Sequence, residues 1–170
     1  TASTYTPPTT AAFNRYYYCV YSMGGSGCSV NSPVSQVIVA ADPTINSQPI
    51  GSQTLCVDGT PSTLSVTITG GYGTPIYQWY CNTSNSTSGG TLLAGETNST
   101  YTPPSNVAGT RYYYCIVSSG VSGCGSVTSS VSTVIIAADP SITVQPLSSQ
   151  TVCLGGSPTT LSVTANNGAG

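Results

Sequence analysis

The residues that could do chemistry in this chain are its seven cysteines, because the usual catalytic partners are missing. The sequence contains no histidine and no lysine, so no Ser–His or Cys–His pair can activate a nucleophile. Its four carboxylates, Asp42, Asp58, Glu96 and Asp139, are far apart along the chain and form no pair of the kind that hydrolyses glycosides. We therefore expect no catalytic residue, no cofactor and no metal site.

The cysteines indicate an oxidising compartment. None lies in a Cys-x-x-Cys or Cys/His spacing that would hold zinc. Disulfides are typical of secreted chains, and seven cysteines in a chain rich in serine and threonine favour an extracellular location. Buried free thiols remain the alternative to disulfides.

Composition excludes several classes of partner. Charged residues make up 4% of the chain, and the basic ones are only Arg15 and Arg111. Two cations cannot neutralise a row of nucleic-acid phosphates or hold the chain on an anionic membrane. The longest apolar runs, 37–41 and 134–138, are far shorter than the roughly 20 residues that span a bilayer. We expect no nucleic-acid partner and no membrane insertion in this segment.

The chain repeats itself with a period of about 97 residues. Residues 4–8 (TYTPP) recur 96 positions later at 100–104, and Ala41-Asp42-Pro43 recurs 97 positions later at 138–140. Self-similarity at a fixed period indicates a tandem array. We predict the C-terminal half of one repeat at 1–42, a complete repeat at 43–139 and the N-terminal part of a third at 140–170. The Asp-Pro pairs should make the links between them short and stiff.

Each repeat is predicted to be all-β, an immunoglobulin-like β-sandwich of seven strands. Apolar and polar residues alternate through 64–68 and 77–81, which is typical of half-buried strands, and no helical periodicity is present. In the complete repeat the predicted strands are A (48–56), B (62–69), C (75–82), C′ (91–94), E (98–102), F (110–118) and G (124–136). Strands E–G then fall in the first partial repeat and strands A–B in the last. Gly125, near the point where the offset changes from 96 to 97, is the expected site of a β-bulge.

Two disulfides are predicted in the complete repeat. Alternation puts Cys81 and Cys115 on the inward faces of the neighbouring strands C and F, so we expect them to pair. Cys56, before strand B, and Cys124, at the start of strand G, form the second pair. An alternative connectivity, Cys115–Cys124 across the F–G hairpin together with Cys56–Cys81, stays open.

Three cysteines are left without a partner by this scheme: Cys19, Cys28 and Cys153. The two ends of one chain are too far apart to meet, because one repeat is roughly 40 Å long at the rise of a β-strand. Between copies, the end of one chain could meet the start of the next. We expect Cys28 and Cys153 to approach each other in such a contact.

Alternation along strands C and F sends one set of tyrosines outward. The set comprises Tyr80, Tyr112 and Tyr114, with Tyr16 and Tyr18 at the equivalent places of the preceding repeat. A flat apolar ring with a polar tip suits a contact face for glycans or for a neighbouring chain. Scattered exposed tyrosines without a partner are the alternative.

Three Asn-x-Ser/Thr sequences offer acceptor sites for glycosylation: Asn82, Asn85 and Asn98. All three are on or near predicted loops. Matches by chance are expected in a chain so rich in asparagine, serine and threonine, so modification depends on the source of the protein.

Five motifs occur in a specific order: Gln53–Cys56, Thr63–Thr67, Tyr77–Tyr80, Thr100–Pro104 and Tyr112–Cys115. This order resembles the Ig-like repeats of very large cell-surface proteins of Bacteroidetes, including gliding-motility adhesins exported by the type IX secretion system. The resemblance covers the whole chain. It implies an extracellular, filamentous or stalk-like adhesin that is built from many such domains and has no catalytic residues.

The sequence therefore predicts a non-enzymatic extracellular structural or adhesive protein at the cell surface. Its expected partners are other repeats of the same chain, with glycans or neighbouring fibres at the tyrosine face. One alternative is a carbohydrate-binding accessory repeat of a secreted enzyme, which a catalytic domain elsewhere in the gene would favour. Another is the subunit of a non-covalent extracellular filament, which a sharp axial repeat set by subunits would favour.

Overall fold

The computed structural model of the chain describes residues 3–25, 27–121 and 123–166, and within them every regular element is a β-strand. We call the units predicted at 1–42, 43–139 and 140–170 the first partial repeat, the complete repeat and the last partial repeat. The first contributes four strands: β1 (Phe13–Tyr17), β2 (Val20–Ser22), β3 (Ser29–Asn31) and β4 (Ser35–Val39). β1 pairs with β4 and β2 with β3, both antiparallel. Together they form one long hairpin, as predicted for strands F and G.

The complete repeat contributes ten strands: β5 (Thr44–Ser47), β6 (Ser52–Cys56), β7 (Leu64–Ser65), β8 (Thr67–Thr69), β9 (Ile76–Asn82), β10 (Thr91–Leu92), β11 (Thr100–Tyr101), β12 (Gly109–Ser118), β13 (Ser126–Thr128) and β14 (Ser132–Ala137). One layer has the order β10-β9-β12-β14-β6, with β13 also beside β12. The other layer consists of β5 paired with β8 and β7 paired with β11. β6 runs parallel to β14, and the other pairs are antiparallel.

The core lies between these two layers. Leu64 and Val66 from the second layer are fully buried, as are Trp79, Cys115 and Val117 from the first. These are the residues that the alternation of apolar and polar positions directs inward. The layer order and the buried inner faces confirm the immunoglobulin-like sandwich.

The sequence predicts a single opening strand A at 48–56, but the structure has two strands within 44–56, one in each layer. β5 pairs with β8 at one edge, and β6 pairs with β14 in the other sheet. Pro49, which has no N–H to give to a ladder, is buried in the crossing segment. The side chain of Gln48 fixes this crossing, because its carbonyl oxygen accepts the N–H of Ser130 at 2.8 Å.

The predicted bulge at Gly125 is wrong, because the irregularity lies further along the chain. Two residues of β12, 114 and 115, face three residues, 129–131, between β13 and β14. Ser129 fills the gap: its N–H donates to the Cys115 carbonyl at 2.8 Å, and its hydroxyl accepts the Cys115 N–H at 2.9 Å. Ser32 and Cys19 repeat both bonds one repeat earlier. The bulge therefore belongs to both copies of the motif in this chain and not to the extra residue.

The last partial repeat contributes β15 (Ser141–Val144) and β16 (Thr164–Asn166), which pair as β5 and β8 do. Residues 149–153, equivalent to β6, form no strand, because β6 needs β14 as its partner. Residues 3–9 likewise form no strand E, because β11 needs β7. In these partial repeats a strand forms only where its ladder partner is also present.

Candidate functional site

The candidate functional site is the junction between the first partial repeat and the complete repeat. Asp42 accepts the N–H of Gly125 at 2.7 Å through Oδ1, and the carbonyl of Ala41 accepts the N–H of Gly71 at 3.0 Å. Pro43 beside them is buried. We call the end of the repeat at residues 41–43 its entry end, and the end at residues 137–140 its exit end. The linker is thus bonded to two loops of the complete repeat at the entry end.

Glycine at position 70 is required by the close approach of the linker. Gly70 has a φ of +74°, and a Cβ there would lie 2.7 Å from the carbonyl oxygen of Asp42. A side chain would therefore combine a strained backbone with a collision against the linker. The turn at Gly70-Gly71 thus leaves room for the incoming chain.

A cleft of about 680 Å³ lies at this junction. One wall consists of residues 9–12 and 38–42 of the first partial repeat. Tyr72, Val121 and Cys124 of the complete repeat line the other wall. We call this space the junction cleft.

The predicted Cys56–Cys124 pair is wrong, because the two residues lie at opposite ends of the repeat. Cys56 is opposite Ala137 at the exit end of β14, whereas Cys124 precedes β13 at the entry end. Ala137 lies 11 positions after Ser126, which corresponds to roughly 36 Å of strand. Both residues carry thiols in the structure.

The predicted Cys81–Cys115 pair has the right face but the wrong register. Cys115 belongs to the buried core and the half-buried Cys81 packs against it, but Cys81 is opposite Tyr113 and Cys115 is opposite Trp79. Such diagonal neighbours are about 7–8 Å apart, beyond the usual Cα separation of a disulfide. Both are thiols in the structure. Burial raises the pKa of the Cys115 thiol to about 11, which makes it a poor nucleophile.

The alternative connectivity fits no better. Cys115 is level with Ser129, five residues along the chain from Cys124 at the entry end. Cys81 in β9 is separated from Cys56 in β6 by two intervening strands. A disulfide would have to cross these separations, so neither bond can form within the repeat.

The remaining cysteines, Cys19, Cys28 and Cys153, are all exposed. Cys28 is equivalent to Cys124 and Cys153 to Cys56. In a repeat completed by two copies, Cys28 and Cys153 would therefore lie at opposite ends. The expectation that they approach each other is wrong for the same reason as the Cys56–Cys124 pair.

The tyrosine face exists but is largely covered. Tyr80 and Tyr114 are directly opposite each other, and their rings stack with centroids 5.1 Å apart. Tyr114 is only 2% exposed, and Tyr80 and Tyr112 are half-buried. Gly90 packs on the Tyr114 ring so closely that a Cβ would lie 2.9 Å from it. The prediction that Tyr114 is exposed is therefore wrong.

Tyr16 and Tyr18 show the same face without its cover. Their exposed fractions are 64% and 61%. Tyr18 is equivalent to Tyr114, and no strand corresponding to β9 lies beside it in the described part of the first partial repeat. Exposure of these tyrosines thus depends on whether the neighbouring strand and its loop are present.

The loop that covers Tyr114 is organised by Asn82. Its side-chain amide donates to the carbonyls of Ser86 and Ser88 at 3.1 and 3.0 Å, and its Oδ1 accepts the N–H of Thr83 at 2.8 Å. Asn82 is buried, so the prediction of a glycosylation site at this residue is wrong. Asn followed by small polar residues is typical of such a side-chain turn, and this signal was present in the sequence. Asn85 and Asn98 are exposed and stay predicted acceptors.

Among residues 3–25, 27–121 and 123–166, no group of three or more His, Cys, Asp or Glu side chains is arranged to hold a metal ion. In the same residues no helix has the length and hydropathy of a membrane span.

The central part of the chain matches a family model. Residues 46–138 match "Domain of unknown function (DUF8696)". The chain belongs to this family. The DUF8696 match lies within the complete repeat at 43–139 and includes both Cys56 and Cys124. The linker residues Asp42 and Pro43 lie just before it.

Solved structures similar to the chain contain immunoglobulin domains. A crystal structure of Sidekick-1 immunoglobulin domains 1–4 has 19% identity and a TM-score of 0.46, covering 84% of this chain and 38% of that one. Sidekick-1 immunoglobulin domains 1–5 have 20% identity and a TM-score of 0.44, covering 84% of this chain and 30% of that one. The chain thus spans less than two-fifths of either structure. No curated protein matches the chain.

Proposed function

We propose that this chain is part of an extracellular, non-enzymatic array of Ig-like repeats that forms a fibre or stalk on a cell surface. In this proposal the array serves attachment or gliding, as an adhesin of the type exported by type IX secretion. The bonded junction is the observation that carries the proposal. A fibre needs successive domains held at a fixed angle, and the bonds of Asp42 and Ala41 to the complete repeat supply this.

The surface chemistry supports a structural role. The chain has two basic and four acidic residues in 170, so contacts along its surface should depend little on salt. Its polarity comes from hydroxyl and amide side chains, which form hydrogen bonds without large charge patches. Such a surface can lie beside identical copies of itself without strong repulsion.

The covered tyrosines argue against a glycan platform in the complete repeat. A sugar needs an exposed ring face, and the Tyr114 ring lies between Tyr80 and Gly90. Tyr80 and Tyr112 are half-buried, which leaves only parts of their rings for contacts with neighbouring fibres. This favours the structural fibre over the carbohydrate-binding accessory repeat.

Surface labelling of the producing cells tests the proposal. Antibodies against residues 44–137 should label intact cells, and protease added to intact cells should remove the label. Cells lacking the gene should lose attachment or gliding, with an unrelated surface protein as the labelling control. Label that appears only after permeabilisation would overturn the proposal.

A further inference from the structure

Two cysteines of the complete repeat, Cys56 and Cys124, lie at its ends, where neighbouring repeats are joined. Cys124 lines the junction cleft, next to Gly125, which holds the linker at the entry end. Cys56 is opposite Ala137, just before the Asp139-Pro140 link at the exit end. Cys56 and Cys124 cannot reach each other. A cysteine that forms a disulfide with either of them must therefore belong to a neighbouring repeat.

In the complete repeat, backbone hydrogen bonds hold the turn at Cys56 in place at the exit end. Residues 56–59 form a tight turn, which we call the cysteine turn, in which the N–H of Gly59 donates to the Cys56 carbonyl at 3.0 Å. The N–H of Val57 donates to Ala137 at 3.0 Å, and the N–H of Asp58 donates to Ser105 at 3.0 Å. The turn therefore lies against Ala137 and Ser105.

The junction cleft presents the equivalent docking position for a cysteine turn. Thr9 and Ala40, which line the cleft, are equivalent to Ser105 and Ala137. A cysteine turn bonded to Thr9 and Ala40 would enter this space, and Cys124 lies on the opposite wall. The cleft is thus the place where a cysteine turn of one repeat meets Cys124 of the next.

We propose that successive repeats are cross-linked by a disulfide between the cysteine turn of one repeat and the Cys124-type cysteine of the following repeat. The 170 residues contain an equivalent turn at Cys153, which a second copy of the chain can supply to the cleft. Cys153 then bonds to Cys124 of the first copy. The proposal rests on the proposed function only in needing an oxidising compartment.

The Cys153 turn already has the required shape. The N–H of Gly156 donates to the Cys153 carbonyl at 2.9 Å, as in the Cys56 turn. Gly155 has a φ of +82°, and the equivalent Asp58 has a φ of +58°. Leu154, equivalent to the half-buried Val57, is completely exposed and has apolar surface to bury on docking.

The segment that follows the turn is also complementary to the first partial repeat. Residues 160–164 have the same sequence as 63–67, which include the buried Leu64 and Val66. Leu161 and Val163 are 59% and 58% exposed. In the complete repeat Leu64 is opposite Tyr101, so Leu161 should dock beside Tyr5, whose ring lies 5.5 Å from that of Tyr17.

The bond forms by thiol–disulfide exchange with an external disulfide. The thiolate of one cysteine attacks a low-molecular-weight disulfide, such as oxidised glutathione, and releases one thiol. The second cysteine loses its proton and attacks the mixed disulfide, releasing the second thiol. Two protein thiols are oxidised and one external disulfide is reduced to two thiols.

Oxidation of the full chain tests the proposal. Reduced protein is incubated at high concentration in a glutathione redox buffer, then analysed by non-reducing electrophoresis and peptide mapping. We expect a ladder of covalent oligomers in which the dominant linked peptide joins Cys124 to Cys153. Cys124→Ser and Cys153→Ser should each remove that peptide, and Cys28→Ser, an exposed cysteine at the other end of the first partial repeat, should leave it unchanged.

Two further results complete the test. Leu154→Ser keeps both thiols but removes the exposed apolar contact, so the initial rate of Cys124–Cys153 bond formation should fall several-fold. Unchanged thermal unfolding of each variant shows that the complete repeat still folds. The absence of the Cys124–Cys153 peptide, or random linkage among the exposed cysteines, would overturn the cross-link. Surface labelling of cells would be unaffected by that result, so the fibre proposal fails or stands separately.

Discussion

Gly125 donates its N–H to the carboxylate of Asp42 at 2.7 Å, a bond between residues 83 positions apart. Gly125 lies where the repeat offset changes from 96 to 97, so the extra residue and the linker meet at one point. The linker therefore has a defined direction as it enters the complete repeat. This relationship makes the array a candidate for a stiff fibre.

Substitution of Gly70 tests the packing of the linker. Gly70→Ala should lower the free energy of unfolding of the complete repeat by about 2–4 kcal/mol, since it adds overpacking to a left-handed backbone. Gly89→Ala is the matched control, because Gly89 has a φ of +75° but open space around its Cβ position. It should lose only about 1 kcal/mol. Equal losses in urea unfolding would show that the linker does not approach Gly70.

The identical sequences at 63–67 and 160–164 allow a direct comparison of a buried and an exposed leucine. Leu64→Ala should cost about 2–5 kcal/mol, because Leu64 is fully buried. Leu161→Ala should change stability by less than about 0.5 kcal/mol in the reduced monomer, because Leu161 is exposed. Urea unfolding followed by the fluorescence of Trp79, the single tryptophan, reports on the complete repeat. A large loss in Leu161→Ala at low concentration would contradict the open partial repeat.

The covered tyrosine face predicts different costs at equivalent positions. Tyr114→Ser should destabilise the complete repeat by about 3 kcal/mol, because it removes a buried ring stacked on Tyr80. Tyr18→Ser should have little effect on folding, because Tyr18 is exposed. The same unfolding measurement compares the two variants. If both substitutions were neutral, the cover over Tyr114 would be absent in solution.

Stability should fall in alkali because of Cys115. Its pKa is about 11 in the folded repeat and near its ordinary 9.0 in the unfolded chain. The folded state thus holds the proton of the Cys115 thiol more tightly. The contribution of this thiol to the free energy of unfolding is fully present below pH 9 and is lost as the pH rises towards 11. The slope is at most about 1.4 kcal/mol per pH unit.

Cys115→Ala is the control for this pH dependence. Burial also raises the pKa values of Tyr101 and Tyr113, with the same sign. The variant should therefore keep part of the alkaline loss but show a smaller slope between pH 9 and 11. Free energies of unfolding measured at several pH values decide this. An identical slope in both proteins would show that the Cys115 thiol is accessible to water.

Sequence patterns predicted the inward faces of the sandwich because alternation depends only on local residue order. Trp79 and Cys115 lie inside as expected. The predicted pairing of cysteines was wrong because it depends on the register between strands, which the sequence of a single strand does not determine. The predicted exposure of Tyr114 was wrong for a related reason. A loop covers the outward face of its ring, and the fold of that loop depends on Asn82. The junction bond of Asp42 joins distant residues, and no local pattern indicates it.

Electron micrographs of purified natural protein containing many repeats test the central claim most directly. Each repeat should add roughly 40 Å to an extended fibre, from the rise of its longest strands and their turns. We predict nearly straight particles whose length is proportional to the number of repeats, and greater bending after substitution of every Asp42-type residue by Ala. Compact particles, or chains that bend freely at each junction before any substitution, would contradict the account.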